Sequence, residues 1–344
     1  MVKKPYFFIQ WDATNVCNLK CTHCYHTDNH TKDPKELTTL EAMHMLDDLN
    51  TTATRWGMQP AIHFSGGEPL LRKDLFDLAR YSFDRNFRMR LLSNGTLITD
   101  AVARDLQNVG FTIVQISLDG TEQTHNKIRG DGFFEAAING ISALKRQGLS
   151  PTISTTVMQS NLFELEEIIR VSYEAGADRI GFTGLVSTNK DRRPKYLTRE
   201  EIFLVYKELA GLKEEYKNKI AVLTGEPLWC LLQPESLIQK FGRELDKITS
   251  GCSIGVNGLS VLADGTVYPC RRLPIPIANI REQTIAEIFI ENSLLNQFRD
   301  FHNLKDCGEC NNVTYCRGCR AIAYAVTGSA FAGDPQCFKE LISI

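Results

Sequence analysis

The sequence predicts an α/β protein: a partial (β/α)6 TIM-like barrel followed by a C-terminal cysteine-rich domain built of a β-hairpin and short helices. Three observations predict it. Strand-like and helix-like segments alternate up to about residue 216, the rhythm of a parallel sheet that is closed or partly closed. Four of the strands run into loops of unusual chemistry, on the rim where such barrels place their sites. After about residue 217 the rhythm stops, and seven of the eleven cysteines lie in 252–344. The chain therefore reads as a barrel over 1–216, a bridging segment over 217–251 and a cysteine-rich domain over 252–344.

The elements follow in order. YFFIQWD at 6–12 reads as a buried strand, and a cysteine loop follows it. A helix over 38–56 has Thr38 or Thr39 as its cap and Leu40, Met43, Leu46 and Leu49 at helical spacing. AIHFS at 61–65 is a second strand, running into Gly66-Gly67-Glu68-Pro69, and a helix follows over roughly 73–86. RMRLLS at 88–93 is a third strand, ending in Asn94-Gly95. TIVQISL at 112–118 is a fourth, ending in Asp119-Gly120. Helices over about 133–147 and 161–175 alternate with strands at 151–157 and 178–183, and an amphipathic helix runs from Thr198 to about Tyr216. In the last domain LSVLADGTVYP reads as a hairpin turning at Asp264-Gly265.

Composition excludes several classes. There are 39 Lys and Arg against 41 Asp and Glu, a net charge of −2. That gives no electrostatic footprint for nucleic acid or an anionic membrane. No stretch approaches the roughly 18 apolar residues of a membrane span. The N-terminal apolar run is broken by Gln10 and Asp12 and reads as a strand, not a secretion signal. Eleven cysteines without such a signal point to a reducing compartment, the cytoplasm, and to metal binding instead of disulfides.

Cys17, Cys21 and Cys24 are spaced C-x3-C-x2-C, with Tyr25 following. Three thiolates in a tight loop suit an iron–sulfur cluster, and three ligands leave one iron of a four-iron cube open for chemistry. A structural zinc site is the competing reading, with His23, His26 or His30 as fourth ligand. The spacing and the aromatic resemble the signature of the radical S-adenosylmethionine (radical SAM) family, which favours the cluster. The resemblance implies that the open iron chelates the amino and carboxylate groups of SAM, and that reduction yields a 5′-deoxyadenosyl radical. It also implies a role for the other rim motifs. Gly66, Gly67, Glu68 and Pro69 resemble the motif that holds the SAM amino group. Ser93, Asn94, Ser117 and Asp119 suit a ribose or a carboxylate, although turn formation explains such residues equally well. Arg129, in HNKIRG, takes the SAM carboxylate by resemblance. Tyr25 and the segment Phe182 to Leu185 are expected near the adenine.

The remaining cysteines are Cys252 and Cys270, then Cys307, Cys310, Cys316 and Cys319 as C-x2-C-x5-C-x2-C, and Cys337. A zinc ribbon needs a gap of roughly 15–20 residues between its pairs, and only five lie here. The pattern resembles the SPASM extension of radical SAM enzymes, which binds two auxiliary four-iron clusters, so three clusters and SAM are the implied cofactors. The resemblance assigns Cys307, Cys310, Cys316 and Cys337 to an outer cluster, and Cys252, Cys270 and Cys319 to an inner one. Cys230 reads equally as an eighth ligand or as a small core residue. The C-x2-C at 316–319 departs from the common C-x3-C ending. Arg271-Arg272 stand where sulfatase-maturing relatives have an acidic base. They read as a grip for a carboxylate or as an ordinary ion-paired couple. The seven histidines show no ligand pattern.

The resemblance implies hydrogen abstraction from a substrate carbon, with an electron donor such as flavodoxin or ferredoxin. Most relatives modify a ribosomally made peptide, which here would need a separate carrier protein, and that is the leading expectation. The alternative is side-chain trimming of a tetrapyrrole, because the tail also resembles enzymes of the haem d1 and alternative haem pathways. A peptide enzyme should show an open groove. A tetrapyrrole enzyme should show a wide cavity with arginines placed for propionates. A non-catalytic electron carrier shares the cysteines but leaves the rim motifs unexplained.

Overall fold

The computed structural model describes residues 5–26, 35–186, 195–223, 225–232 and 251–342. Seven parallel strands form the barrel sheet: β1 Tyr6–Thr14, β2 Gln59–Gly66, β3 Arg88–Ser93, β4 Ile113–Ser117, β5 Ser150–Val157, β6 Arg179–Gly184 and β7 Ala221–Leu223. The seventh strand, AVL, is too short to carry a periodic pattern, which is why the sequence shows six. The hairpin of β8 Gly258–Val261 and β9 Thr266–Tyr268 is present, with β10 Ala278–Asn279 beside it. β8 pairs in parallel with β1, so a single sheet runs β10-β9-β8-β1-β2-β3-β4-β5-β6-β7. The barrel is thus open, and the cysteine-rich region continues its sheet from the β1 edge.

Strand alternation sorts the residues of β1 onto two faces. Phe7, Ile9, Trp11 and Ala13 are fully buried and face the helices. Phe7 packs edge-on against Trp56 and Phe289, with ring centroids 5.1 and 4.8 Å away. The alternate residues Tyr6, Phe8 and Gln10 face the barrel interior and line a cavity there. The hydrophobic core therefore sits between sheet and helices, and the lumen is left for chemistry.

The helices are α1 Thr39–Arg55, α2 Leu75–Asp84, α3 Asp100–Asn108, α4 Glu122–Arg129, α5 Phe133–Arg146, α6 Leu165–Glu174 and α7 Arg199–Glu215. Thr38 and Glu41 form a reciprocal capping box that starts α1. The sequence reading has α6 beginning near 161. It begins later because Asn161 folds its side chain onto the preceding turn, accepting from Met158 N and donating to the carbonyls of Asp119 and Thr156. α3 and α4 have no counterpart in the sequence reading, and α4 (EQTHNKIR) buries only His125 and Ile128. Short helices Ile285–Glu291, Ser293–Arg299, Arg320–Thr327 and Lys339–Ile342 complete the C-terminal region. Among the described residues no helix is long and apolar enough to cross a membrane.

Candidate active site

The cysteine loop after β1 is held from several sides by backbone groups. Gly67 N donates to Thr14 O at 2.8 Å and Glu68 N to Val16 O at 2.8 Å, which straps the loop to the turn after β2. Thr22 N donates to the carbonyl of Ile128 on α4 at 2.9 Å. Asn18 joins Thr96 and Asn94 by side-chain bonds of 2.9 Å each. The close approach explains both glycines. Gly66 has φ +126°, and a Cβ on Gly67 would overlap the Val16 carbonyl. Gly67→Ala is therefore expected to cost about 1–3 kcal/mol as the loop backs away. The readouts are a lower Tm and loss of iron from the reconstituted protein.

Cys17, Cys21 and Cys24 line one cavity of about 150 Å³ together with Tyr25, Gly66, Gly67, Ser93, Asn94, Ser117, Arg129 and Leu185. Residues predicted from six separate segments thus meet at one place. Burial raises the pKa of all three thiols, that of Cys24 to about 11. They hold protons at neutral pH until a metal displaces them, so loading the site releases protons.

Glu68, Pro69 and Asp119 stand behind the cavity wall, all buried. The resemblance makes Glu68 part of the motif that holds the SAM amino group. In the structure both its oxygens are engaged: Oε1 accepts from Leu70 N and Ser93 Oγ, and Oε2 from Asn94 N. Burial raises its pKa to about 7 against the pull of those donors. Glu68 thus fixes the turns after β2 and β3, and Oε2, with one donor, keeps a lone pair for an ammonium group. Asp119 is also a strut. It accepts from Arg129 Nε at 2.6 Å and Thr156 N at 2.8 Å. Burial alone would raise its pKa, but Arg129, His23 and the Thr156 amide hold it below the usual carboxylate value. Fixed in this way, Arg129 directs Nη1 at Cys21 Sγ, 3.7 Å away. His23 approaches Asp119 at 3.4 Å, and His26 approaches Asp12 at 3.7 Å; His30 lies outside the described residues.

Both arginines after Cys270 reach this site. Arg271 lies over the Tyr25 ring at 5.2 Å and donates to its hydroxyl at 3.4 Å. With the Gln10 amide oxygen turned toward it, Arg271 also donates there at 2.8 and 3.1 Å. Arg272 pairs with Glu226 at 3.3 Å and donates to Gly184 O at 3.4 Å. Of the two readings for this couple, Arg272 takes the ion pair.

Below the rim lies a second cavity of about 690 Å³, the barrel lumen. It shares Leu92, Gln115, Ser154, Thr183 and Arg271 with the first, so the two are continuous. His63, Arg90, Arg317 and Cys252 also line it, and no Asp or Glu does so among the described residues. Sequence reasoning passed over Gln10, His63, Arg90, Gln115 and Ser154. The signal was present: each is a polar residue at an alternate position of a strand, as in Ile62-His63-Phe64 and Met89-Arg90-Leu91.

In the C-terminal region Cys307, Cys310, Cys316 and Cys337 together line a cavity of about 560 Å³. Lys339 Nζ stands 3.4 Å from Cys310 Sγ, and Arg320 Nη2 stands 3.6 Å from Cys307 Sγ. Four thiols beside cations form a donor set that fits a four-iron cluster. Cys252, Cys270 and Cys319 all lie within electrostatic reach of Arg272. Cys230 is buried with its thiol against Cys316, a member of the four-cysteine set.

The Radical SAM superfamily model matches residues 11–172, and the SPASM iron–sulfur cluster-binding domain model matches 252–320. The AdoMet-dependent heme synthase of Methanosarcina barkeri is 32% identical, covering 96% of this chain and 95% of that protein. The Fe-coproporphyrin III synthase of the same organism is 30% identical, covering 98% and 88%. The mycofactocin maturase MftC of Mycobacterium tuberculosis is 26% identical, covering 96% and 82%. The solved structure "Native anSMEcpe with bound AdoMet" superposes with a TM-score of 0.77 at 23% identity, over 98% of this chain and 95% of that one, and it supports the fold. On these grounds the chain belongs to the radical SAM superfamily, in the branch that carries a SPASM iron–sulfur domain.

Proposed function

We propose that this protein is a radical SAM enzyme that modifies the side chains of an iron tetrapyrrole, a haem precursor. The observation that carries the reading is the lumen. It is lined by Arg90, Arg271 and Arg317 with no acidic residue among the described lining, and it opens directly onto the cavity of the three rim cysteines. At about 690 Å³ it falls within the roughly 300–1,000 Å³ typical of ligand sites. Arg90 is the sharpest case. It makes no hydrogen bond or ion pair with a described residue, and burial together with Arg88 and Arg179 lowers its pKa. A substrate carboxylate would neutralise it through a bidentate pair. The full-length similarity to a heme synthase and an Fe-coproporphyrin III synthase supports the same class. The ranking drawn from sequence, peptide first and tetrapyrrole second, is therefore reversed.

Residues 1–216 together with β7 would form the catalytic barrel, 252–344 the auxiliary domain, and the rest of 217–251 the bridge. Cys17, Cys21 and Cys24 would hold the SAM-binding cluster. When bound, that cluster and SAM supply the 5′-deoxyadenosyl radical that abstracts a substrate hydrogen. Arg129, set by Asp119, would bind the SAM carboxylate, and Gly66 and Gly67 would let the amino group approach the backbone. Ser93, Asn94 and Ser117 would face the ribose, and Tyr25 and Leu185 the adenine. Two auxiliary clusters would take Cys307, Cys310, Cys316 and Cys337, and Cys252, Cys270 and Cys319, making three in all. A small electron-transfer protein would supply electrons.

The test is equilibrium binding of iron coproporphyrin III to cluster-loaded protein. A hydrogen bond to a charged group contributes about 1.5–3 kcal/mol, so Arg90→Gln and Arg271→Gln are each expected to raise Kd roughly 10- to 100-fold. An unchanged Kd in both variants would reject the reading and return a peptide to first place.

A further inference from the structure

Among the described residues that line the lumen, His63 is the one imidazole, and it has no role above. His63 sits in the middle of β2, in register with Gln10 on β1 and Arg90 on β3. Its ring stacks on Phe8, with centroids 5.0 Å apart and planes inclined by 17°. A ring held by its face offers its edge, and both nitrogens are on the edge. His63 lines the lumen and makes no hydrogen bond to a described residue. Histidines that merely fill a core usually bond at least one nitrogen. Burial and the nearby charges of Arg90 and Arg271 bring its pKa down to about 3, so the ring is neutral and its lone pair available.

We infer that His63 is the axial ligand to the iron of the tetrapyrrole held in the lumen. The inference rests on the tetrapyrrole reading and adds the point at which the substrate is anchored. Neutral imidazole is the common protein ligand of haem iron. The flanking guanidinium groups of Arg90 and Arg271 would take carboxylates at the macrocycle edge while His63 holds its centre. Ser65, two residues further along β2, lines the SAM cavity. At about 3.3 Å per residue that separates the anchor from the upper cavity by roughly 7 Å. An iron fixed at His63 therefore keeps the macrocycle in the lumen, with one edge toward the SAM site. Arg271, which lines both cavities, stands at that edge.

The experiment titrates cluster-loaded, anaerobic protein with ferric coproporphyrin III and with metal-free coproporphyrin III, following the Soret band and the haem electron paramagnetic resonance signal. Wild type is expected to give a nitrogen-ligated haem spectrum and to bind the iron form at least about tenfold more tightly than the metal-free form. His63→Ala should lose both the spectrum and the preference, and added imidazole should restore the spectrum. His63→Met keeps a side chain of similar volume and guards against misfolding; it should give a different haem spectrum at wild-type iron content. If either variant binds ferric coproporphyrin with the wild-type spectrum, ligation by His63 is wrong while the tetrapyrrole reading stands. If wild type binds neither form, both fall together.

Discussion

A Cys17/Cys21/Cys24→Ala variant is expected to make no 5′-deoxyadenosine from SAM under reducing conditions, and to carry about four fewer irons than wild type after reconstitution. The effect is total because nothing nearby replaces the thiols. The three line one cavity, and among the described residues no other cysteine lines it. None of the auxiliary cysteines lines the rim cavity, and Cys307, Cys310, Cys316 and Cys337 line a separate one, so their iron should remain. Iron counting and chromatography on the same samples check both halves. A variant that keeps its SAM cleavage would move the chemistry away from the rim loop. Zinc in wild-type protein, with no cleavage, would revive the zinc reading of the same loop.

Asp119→Ala is expected to show the next largest effect. Its carboxylate has no exposure and its partner Arg129 is about 10% exposed, with 2.6 Å between them. Removing one member of a buried pair leaves an uncompensated charge, at a cost of about 3–5 kcal/mol. The same change also frees Arg129, which points at Cys21. SAM affinity should therefore fall together with Tm, whereas a substitution that is only destabilising would spare affinity in the folded fraction. The pair sets a pH dependence of definite sign. Asp119 titrates below the usual carboxylate value, so its contribution is complete above the unfolded carboxylate range. It is lost as pH falls through the depressed folded value. Acid unfolding of wild type should thus show a component missing from Asp119→Ala. Coincident acid transitions would contradict the role given to the pair.

The sequence makes the rim legible because its chemistry is contiguous. Three cysteines in eight residues, and GGEP, SNG and SLDG at strand ends, are local strings whose spacing survives without coordinates. The barrel strands are legible for a similar reason, since apolar runs such as RMRLLS end at glycine turns and RMRLLS spans β3 itself. The lumen is not legible in that way. Gln10, His63, Arg90, Gln115, Ser154 and Thr183 come from six strands, and only the pairing register brings them to one face. Each alone is an ordinary polar residue in a strand. Glu68 shows the reverse case. Its motif marks the right turn, but the bonds by which its side chain also fixes that turn come from donors 25 and 26 residues away in sequence. Cys230 was ambiguous for the same reason: only the fold brings it against Cys316.

The measurement that tests the account most directly is an anaerobic turnover assay. It combines cluster-loaded enzyme, SAM, a reductant and iron coproporphyrin III, with mass spectrometry of the tetrapyrrole and quantification of 5′-deoxyadenosine in the same reaction. The account expects a lighter tetrapyrrole, trimmed at its side chains, accumulating in step with 5′-deoxyadenosine and absent from the Cys17/Cys21/Cys24→Ala variant. Sustained 5′-deoxyadenosine formation with the tetrapyrrole mass unchanged would contradict it.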